Sequence, residues 1–265
     1  MSRHCGQGTL KVAPMSRNDH FSAFAATYSS YRPTYPDELF AEIADLAPEH
    51  RHAWDCATGT GQAAVSLAEH FDYVTATDVG AGMIEHATPH PKITYAVGSA
   101  EVPQFVDDSV DLITVAMALH WFKRDLFWLT CRRVLKPNGV LAYWGYGLPE
   151  IDPAIDAVTQ NYHDEKVGRF WPADRGPLMN MYADIKPPAD RIMAKNFVME
   201  AEWELENLVG MLDSWSATHR AREETKHDPI PTVAALLSVI WGDRRTKRTV
   251  RWPLKLHAFR FNSSP

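Results

Sequence analysis

The stretch Asp55–Gly61, "DCATGTG", combines a carboxylate with two glycines one residue apart, directly after a short apolar run. Glycines allow a backbone to approach a ligand closely, and a helix that begins just beyond them offers unpaired N–H groups to an anion. Asp78 ends the next β-branched segment, where a carboxylate can accept hydrogen bonds from both hydroxyls of a ribose. The spacing predicts a nucleotide-binding loop, without fixing which nucleotide it holds.

The Gly-x-Gly-x-x-Ala pattern occurs in dinucleotide-dependent enzymes and in enzymes that bind S-adenosylmethionine. Asp55 discriminates between them, because a carboxylate beside a pyrophosphate places two negative groups in one pocket. The same carboxylate suits a ligand that carries an ammonium and a sulfonium. An NAD-type oxidoreductase is therefore the disfavoured alternative.

Apolar segments alternate with amphipathic ones between residues 51 and 147, which predicts strands that alternate with helices. Because the strands are nearly continuous apolar runs, they are expected to be covered on both faces. The predicted fold is α/β: a doubly wound, mostly parallel sheet of seven strands with helices on both faces. The predicted strands of this half are His52–Ala57, Tyr73–Asp78, Lys92–Gly98, Val110–Leu119 and Gly139–Gly147.

The second half is predicted to complete the sheet and to cover it. Residues 149–190 read as a helical insertion after the fifth strand, and 203–242 as further helices, so both regions are expected to form a lid over the substrate. Met193–Trp203 is predicted as a strand, Leu205–Arg220 as one amphipathic helix, and Val250–Phe261 as a closing edge strand. We expect residues 1–18 to be a loose tail and 19–265 to be a single domain.

Composition excludes several classes of protein. The chain has 265 residues, with 27 basic and 33 acidic side chains and a formal net charge of −6, which argues against nucleic acid as a partner. No apolar run approaches the length of a membrane span. Three cysteines predict no disulfide framework and a reducing, cytoplasmic location. The expected partner is a small-molecule substrate, and the expected state is a monomer or homodimer.

Two more segments complete a family pattern. Ala100–Glu101 follows the third predicted strand, and "RRVLKPNG" precedes the fifth. Together with "DCATGTG" and Asp78 they resemble the class I S-adenosylmethionine-dependent methyltransferases of the type 11 group. Ala57 and Asn138 stand where that family has glycine; alanine is nearly as small, and asparagine tolerates a left-handed backbone. The flanking "YSSYRPTYPDELF" and "LDSWSATHR" resemble the trans-aconitate methyltransferase-like branch, so the resemblance covers most of residues 20–261.

The resemblance implies a Rossmann-like methyltransferase domain with S-adenosylmethionine as cofactor. Asp78 would bind the ribose hydroxyls, although a helix cap is an alternative role for it. Arg32 would pair with the methionine carboxylate or, alternatively, pin the N-terminal segment through a salt bridge. The residues expected at the cofactor are Tyr28, Arg32, Asp55, Ala57, Thr58, Gly59, Gly61, Asp78, Val79, Ser99, Ala100, Glu101, Ala116 and Met117.

The acceptor is expected beyond the carboxyl end of the fourth strand, where ligands bind in doubly wound sheets. His120 lies there as a candidate general base, although a structural, hydrogen-bonded histidine is the alternative. The residues expected at the substrate are Trp121, Trp144, Tyr146, Trp215 and His219, with Arg169, Arg175 and Arg220 as candidate anchors for a carboxylate. No metal site is expected, because Pro89 interrupts the helix that would pair His86 with His90.

The favoured reaction is O-methylation of a small carboxylic acid, whose group is already ionised at pH 7 and needs no base. A different small metabolite, methylated at carbon, nitrogen or a hydroxyl oxygen, is one alternative. A non-catalytic cofactor-binding scaffold is another. The sequence lacks an Asn/Asp-Pro-Pro-Tyr motif after the fourth strand, which argues against methylation of nucleic-acid or protein amide nitrogens.

Overall fold

The computed structural model describes residues 31–261. The expected tail at 1–18 and the candidate Tyr28 lie outside them. Eight strands form one sheet in the order β3-β2-β1-β4-β5-β8-β6, and β7 also pairs with β8. The strands are β1 His52–Cys56, β2 Tyr73–Asp78, β3 Ile93–Val97, β4 Val110–Ala116, β5 Leu135–Tyr146, β6 Asp190–Ile192, β7 Asn196–Trp203 and β8 Arg248–Arg260.

Helices cover the sheet on both faces. In the described residues they are α1 Asp37–Leu46, α2 Gln62–Leu67, α3 Ala81–Glu85, α4 Arg124–Val134, α5 Pro153–Asn161, α6 Gly176–Met179, α7 Leu205–Asp213, α8 Ser216–Thr225 and α9 Ile230–Trp241. A π-helical turn, Tyr162–Lys166, extends α5, and short 3₁₀ turns follow β4 and precede α6. None of these helices is long and apolar enough to cross a membrane.

Side chains of neighbouring strand positions divide between two cores. Ala53 and Leu112 pack with α1 and the late helices, whereas Trp54 and Ile113 pack with α4. This division follows from the two-residue period of a strand, which sends successive side chains to opposite faces. The doubly wound, mostly parallel sheet predicted from the sequence is therefore confirmed.

The topology places the functional segments at one edge of the sheet. β1 pairs in parallel with β2 on one side and with β4 on the other, so the chain reverses its direction of winding between β1 and β4. The carboxyl ends of these strands share one edge, and ligands of doubly wound proteins bind at such a switch point.

Several predicted elements differ from the structure. Strand β5 begins at Leu135 rather than Gly139, and β7 begins at Asn196 rather than Met193. β8 is not an edge strand: it lies between β5 and the β6–β7 pair and is antiparallel to all three. The single helix predicted over Leu205–Arg220 is two helices, which separate at Ser214–Trp215. Strand β4 ends at Ala116 rather than Leu119, because Met117 has a left-handed φ of 56°.

Candidate active site

Asp55 lies at the carboxyl end of β1 and is completely buried. Its two carboxylate oxygens accept hydrogen bonds from the hydroxyls of Thr58, at 2.5 Å, and Thr114, at 2.7 Å. Burial, together with the nearby charge of Asp78, raises the pKa of Asp55 to about 6, against the opposing effect of these two donors. Asp55 therefore holds Thr58 of the loop in place, and its side chain is closed to solvent.

Asp78 ends β2 and is tied to the same loop. One of its oxygens accepts the Gly59 backbone N–H at 2.9 Å, and the other accepts that of Gly80 at 2.8 Å. The helix that follows has Gly80 at its N-cap and no side-chain cap, so the carboxylate does not fill that position. Each oxygen keeps a further lone pair, because a carboxylate can accept about four hydrogen bonds.

Backbone conformation shapes the loop between β1 and α2. Ala57, Gly59 and Gly61 all have left-handed φ, at 57°, 60° and 88°. A Cβ on Gly59 would have no atom within 4 Å, so the space above this residue is open. The loop thus presents bare backbone to the edge of the sheet at Gly59.

The turn after β3 stands beside Asp78. The Gly98 N–H donates to the Asp78 carbonyl at 2.9 Å. Glu101 accepts hydrogen bonds from the Ser99 hydroxyl and from the Lys123 backbone N–H, the latter at 2.9 Å. Ala100 is buried between them, whereas the side chain of Val79 is about half exposed at the same rim.

Three carboxylates lie near Cys56 at this edge of the sheet. Burial raises the pKa of the Cys56 thiol, and the carboxylates of Asp55, Glu101 and Asp78 raise it further. Asp78 and Glu101 beside an open backbone loop, together with the buried Asp55 that anchors the loop, suit a ligand with a cationic group and a ribose diol, and they oppose a pyrophosphate. The residues present therefore fit S-adenosylmethionine better than a dinucleotide.

Residues 31–35 cross the same edge of the sheet. The Tyr31 ring lies against Gly210 of α7, the Arg32 guanidinium donates to the Tyr146 hydroxyl at 3.4 Å, and Gln62 of α2 donates to the Pro33 carbonyl at 3.0 Å. Tyr35 packs edge-on against Trp144 at 5.4 Å. This segment therefore brings Arg32 to the carboxyl end of β5.

The candidate substrate residues on β5 occupy different positions. Tyr146 is half-buried and contacts Arg32, as a wall residue would. Trp144 is fully buried, where it packs edge-on against Tyr35 and Phe40. Its surroundings are those of a core residue, so the structure gives Trp144 no surface toward a substrate.

His120 follows β4 in a 3₁₀ turn and is nearly buried. Its Nδ1 is hydrogen-bonded to the Tyr182 hydroxyl at 2.9 Å, and its ring lies 4.5 Å from that of Trp121. Burial, and secondarily the charge of Arg175, lower its pKa to about 3. The side chain is therefore neutral near pH 7 and has little capacity to take up a proton.

Trp215 and His219 lie one helical turn apart at the start of α8. Trp215 is buried against Tyr162, His163 and Trp171, with ring centroids at 5.5–6.0 Å. His163, Asp164 and Trp171 border a cavity of about 300 Å³ beside the 3₁₀ turn that holds Arg175. Sequence analysis identified Trp215 and Arg175 but missed His163 and Asp164, because no motif marks them within a helical run.

The structure places the other candidates as follows. Ala116 ends β4 and Met117 follows it, and the Met117 N–H donates to the Trp144 carbonyl at 3.0 Å. Residues 31–261 contain no group of three or more His, Cys, Asp or Glu side chains that could hold a metal ion. Cys56 and Cys131 are buried free thiols.

Residues 54–143 match the family described as "Methyltransferase domain". A Dictyostelium discoideum protein named "Putative methyltransferase" is 33% identical over 228 residues, which cover 84% of this chain and 87% of that protein. The solved structure of a "Putative Type II Methyltransferase" from Anaeromyxobacter dehalogenans has 36% identity and a TM-score of 0.82, and it covers 88% of this chain and 100% of that one.

The malonyl-[acyl-carrier protein] O-methyltransferase of Methylococcus capsulatus is 34% identical over 137 residues, which are 48% of this chain and 50% of that protein. The loop between β1 and α2, the acids Asp55, Asp78 and Glu101, and the doubly wound sheet are all consistent with a methyltransferase. The chain is an enzyme of the methyltransferase domain family, and it belongs to the class I S-adenosylmethionine-dependent methyltransferases.

Proposed function

We propose that this methyltransferase O-methylates a small carboxylic acid and yields its methyl ester. The observation that carries the proposal is the environment of His120. Burial and the nearby positive charge of Arg175 lower the pKa of this histidine to about 3, so its side chain is neutral at pH 7. A carboxylate is ionised at pH 7 and attacks without a base, whereas a hydroxyl or amine acceptor requires one. A neighbouring guanidinium suits a carboxylate.

We assign the cofactor contacts as the resemblance implies. Asp78 accepts the ribose hydroxyls, Val79 covers the adenine, and Ser99, Ala100 and Glu101 border its edge. The backbone of Ala57 and Thr58 lies beside the methionine portion, Gly59 and Gly61 shape the loop, and Arg32 pairs with the methionine carboxylate. Tyr28, also expected at the cofactor, lies outside the described residues. The cofactor supplies a methyl group on a positive sulfur, and the protein aligns the acceptor with it and excludes water.

The similarity to a protein named as an O-methyltransferase of a malonyl group supports a carboxyl acceptor. The "LDSWSATHR" segment, in which Trp215 and His219 lie, supports the trans-aconitate-like branch. In this proposal Trp121, Tyr146, Trp215 and His219 surround the acceptor, and His120 positions Tyr182 rather than moving a proton. Cytoplasmic location and a monomeric or homodimeric state remain predictions from composition.

The first experiment is calorimetric titration with S-adenosylmethionine and S-adenosylhomocysteine. Wild-type protein should bind both in the micromolar range, and Asp78→Asn should bind at least tenfold more weakly. Asp72→Asn is the matched control, because Asp72 is exposed and directly precedes the opposite end of the same strand. Equal binding by both variants would remove Asp78 from the cofactor site.

The second experiment incubates the protein and S-adenosylmethionine with a panel of small carboxylic acids, and detects products heavier by one methylene by mass spectrometry. Base hydrolysis distinguishes methyl esters from ethers and methylamines, because only the ester is cleaved. Products that resist hydrolysis would contradict carboxyl methylation.

A further inference from the structure

The cavity of about 300 Å³ lies within residues 162–179, a segment that no family motif covers. His163, Asp164, Trp171 and Arg175 border it, together with Pro172 and Met179. A volume of this size matches the lower end of small-ligand pockets. Apolar side chains surround a few polar groups here, as in binding sites for small molecules.

His163 is the buried polar group of this cavity. It is only 2% exposed, and its Nε2 has no hydrogen-bond partner. Buried polar atoms of native proteins are nearly always hydrogen-bonded, so an unsatisfied one requires an explanation. A ligand that donates a hydrogen bond to Nε2 would provide it.

Asp164 fixes the state of the His163 ring. Its Oδ1 lies 2.6 Å from His163 Nδ1, and its Oδ2 accepts from the Gln160 side chain. A carboxylate at Nδ1 holds the proton there and leaves Nε2 as an acceptor. Burial lowers the pKa of His163, which favours this neutral form.

The local backbone is also unusual. Tyr162–Lys166 forms a π-helical turn at the end of α5, and single π turns occur frequently at functional sites. The Trp171 indole N–H donates to the His163 carbonyl at 3.2 Å, and its ring lies 5.1 Å from that of His163. Three contacts therefore hold the histidine: its carbonyl and its ring face contact Trp171, and its Nδ1 contacts Asp164. Its Nε2 has no hydrogen-bond partner.

Arg175 links the cavity to the methyl-transfer edge of the sheet. Its guanidinium stacks on Trp171 at 3.4 Å from the ring centroid. The turn Ala173–Arg175 packs against the turn Leu119–Trp121 that follows β4. The charge of Arg175 also lowers the pKa of both His163 and His120. An anion at Arg175 and a hydrogen-bond donor at His163 would belong to one small molecule.

We propose that this cavity selects an acceptor that carries a hydroxyl as well as its carboxylate, with His163 Nε2 accepting from the hydroxyl and Arg175 pairing with the carboxylate. This inference rests on the proposed function for the carboxyl acceptor. His163 is then a specificity-determining residue that contacts substrate at a distance from the transferred methyl.

The test is a binding cycle on protein saturated with S-adenosylhomocysteine. The probes are 4-hydroxyphenylacetate and phenylacetate, which differ by one hydroxyl, and affinity is measured by calorimetry. In wild-type protein the hydroxyl should improve affinity about tenfold, as expected when a buried acceptor is satisfied. In His163→Gln and in Asp164→Ala this preference should fall below about threefold.

Asp164→Ala guards against misfolding of the first variant, since the Asp164 side chain is about half exposed. His227→Gln, an exposed histidine beyond α8, should keep the full preference. A hydroxyl preference that is unchanged in both cavity variants, or no binding of either acid by wild type, would overturn the proposal. 4-Hydroxyphenylacetamide should bind more weakly than the acid, and equal binding would overturn the role of Arg175.

The two proposals fail separately. If the binding cycle behaves as described but no methyl ester forms from bound acids, carboxyl methylation is wrong and the recognition site stands. If esters form at rates that His163→Gln and Asp164→Ala leave unchanged for both probes, the reaction stands and the recognition site is wrong.

Discussion

A Cβ atom on Gly61 would lie 2.3 Å from the hydroxyl oxygen of Tyr95, closer than any real contact allows. The Tyr95 hydroxyl donates to the Thr88 carbonyl at 2.8 Å, which holds the ring in place. Gly61 also has a φ of 88°. We therefore predict that Gly61→Ala lowers the free energy of unfolding by about 2–4 kcal/mol, from overpacking and left-handed strain together.

Urea unfolding measures this loss, and Gly59→Ala is the matched control. Gly59 has left-handed φ but open space at its Cβ position, so only about 1–2 kcal/mol of strain is expected there. Its added methyl would instead occupy the ligand side and weaken S-adenosylmethionine binding. Equal destabilisation by the two substitutions would contradict the role of Tyr95.

Ala57→Gly should stabilise the protein. Ala57 has a φ of 57°, a conformation that costs a residue with a Cβ about 1–2 kcal/mol. Glycine removes this strain, but its greater freedom in the unfolded chain offsets part of the gain in stability. We predict a net gain of about 0.5–1 kcal/mol in thermal or urea unfolding. Ala53→Gly, in the buried interior of β1, should be destabilising instead, and a loss at both positions would be inconsistent with strain at Ala57.

Asp55→Asn should separate stability from cofactor binding. The folded pKa of about 6 exceeds the ordinary 3.8, so the folded protein binds more protons between these values. Stability contributed by this group is thus present at low pH and is lost as pH rises through about 6. The asparagine variant should be at least as stable as wild type at pH 8, with a gain of up to about 3 kcal/mol.

The same variant should bind S-adenosylmethionine at least tenfold more weakly, because the loop loses its central charge. Unfolding at pH 5 and pH 8, combined with calorimetry, checks both statements. Thr114→Ser, which keeps the hydroxyl donor, is the control and should bind normally. A variant that lost stability at pH 8 and still bound the cofactor normally would disprove this account.

The contribution of His120 to the free energy of unfolding should depend on pH in the opposite direction. Its folded pKa of about 3 lies below the ordinary 6.5, so the unfolded chain binds more protons between these values. Its contribution is complete above about pH 6.5 and is lost as pH falls, by on the order of 2–3 kcal/mol at pH 4.5. His120→Gln should lose less stability between pH 7 and pH 4.5 than wild type does. His86→Gln, a change at an exposed histidine, should lose as much as wild type. Urea unfolding at pH 4.5 and 7 makes the comparison, and identical slopes for the three proteins would refute it.

Much of the fold could be predicted because its signals are local. The apolar runs predict β1, β2 and β4, and all three strands are present. Asn138 has a left-handed φ of 64°, as an asparagine in place of a glycine tolerates, although the structure includes it in β5. The position of β8 could not be predicted in this way, since alternation of side chains does not reveal which strands lie on either side.

The candidate site also has a part that could be predicted from the sequence and a part that could not. The cofactor side consists of loops whose residue types are dictated by backbone shape and charge, as at Gly59 and Asp78, so spacing alone brings them together. The acceptor side depends on packing between distant helices, as between His163 and Trp215. Sequence analysis also placed Trp144 at the substrate, because strand position does not distinguish a wall from the core beneath it.

The central place of β8 bears on how the chain is made. Among the described strands, β6 and β7 pair only with β8, and β8 also completes one side of β5. Residues 248–260 are the last of the described elements to leave the ribosome. Strands β6 and β7 therefore have no partner, and one side of β5 stays open, until residues 248–260 have been made, and chaperones have most to protect in that interval.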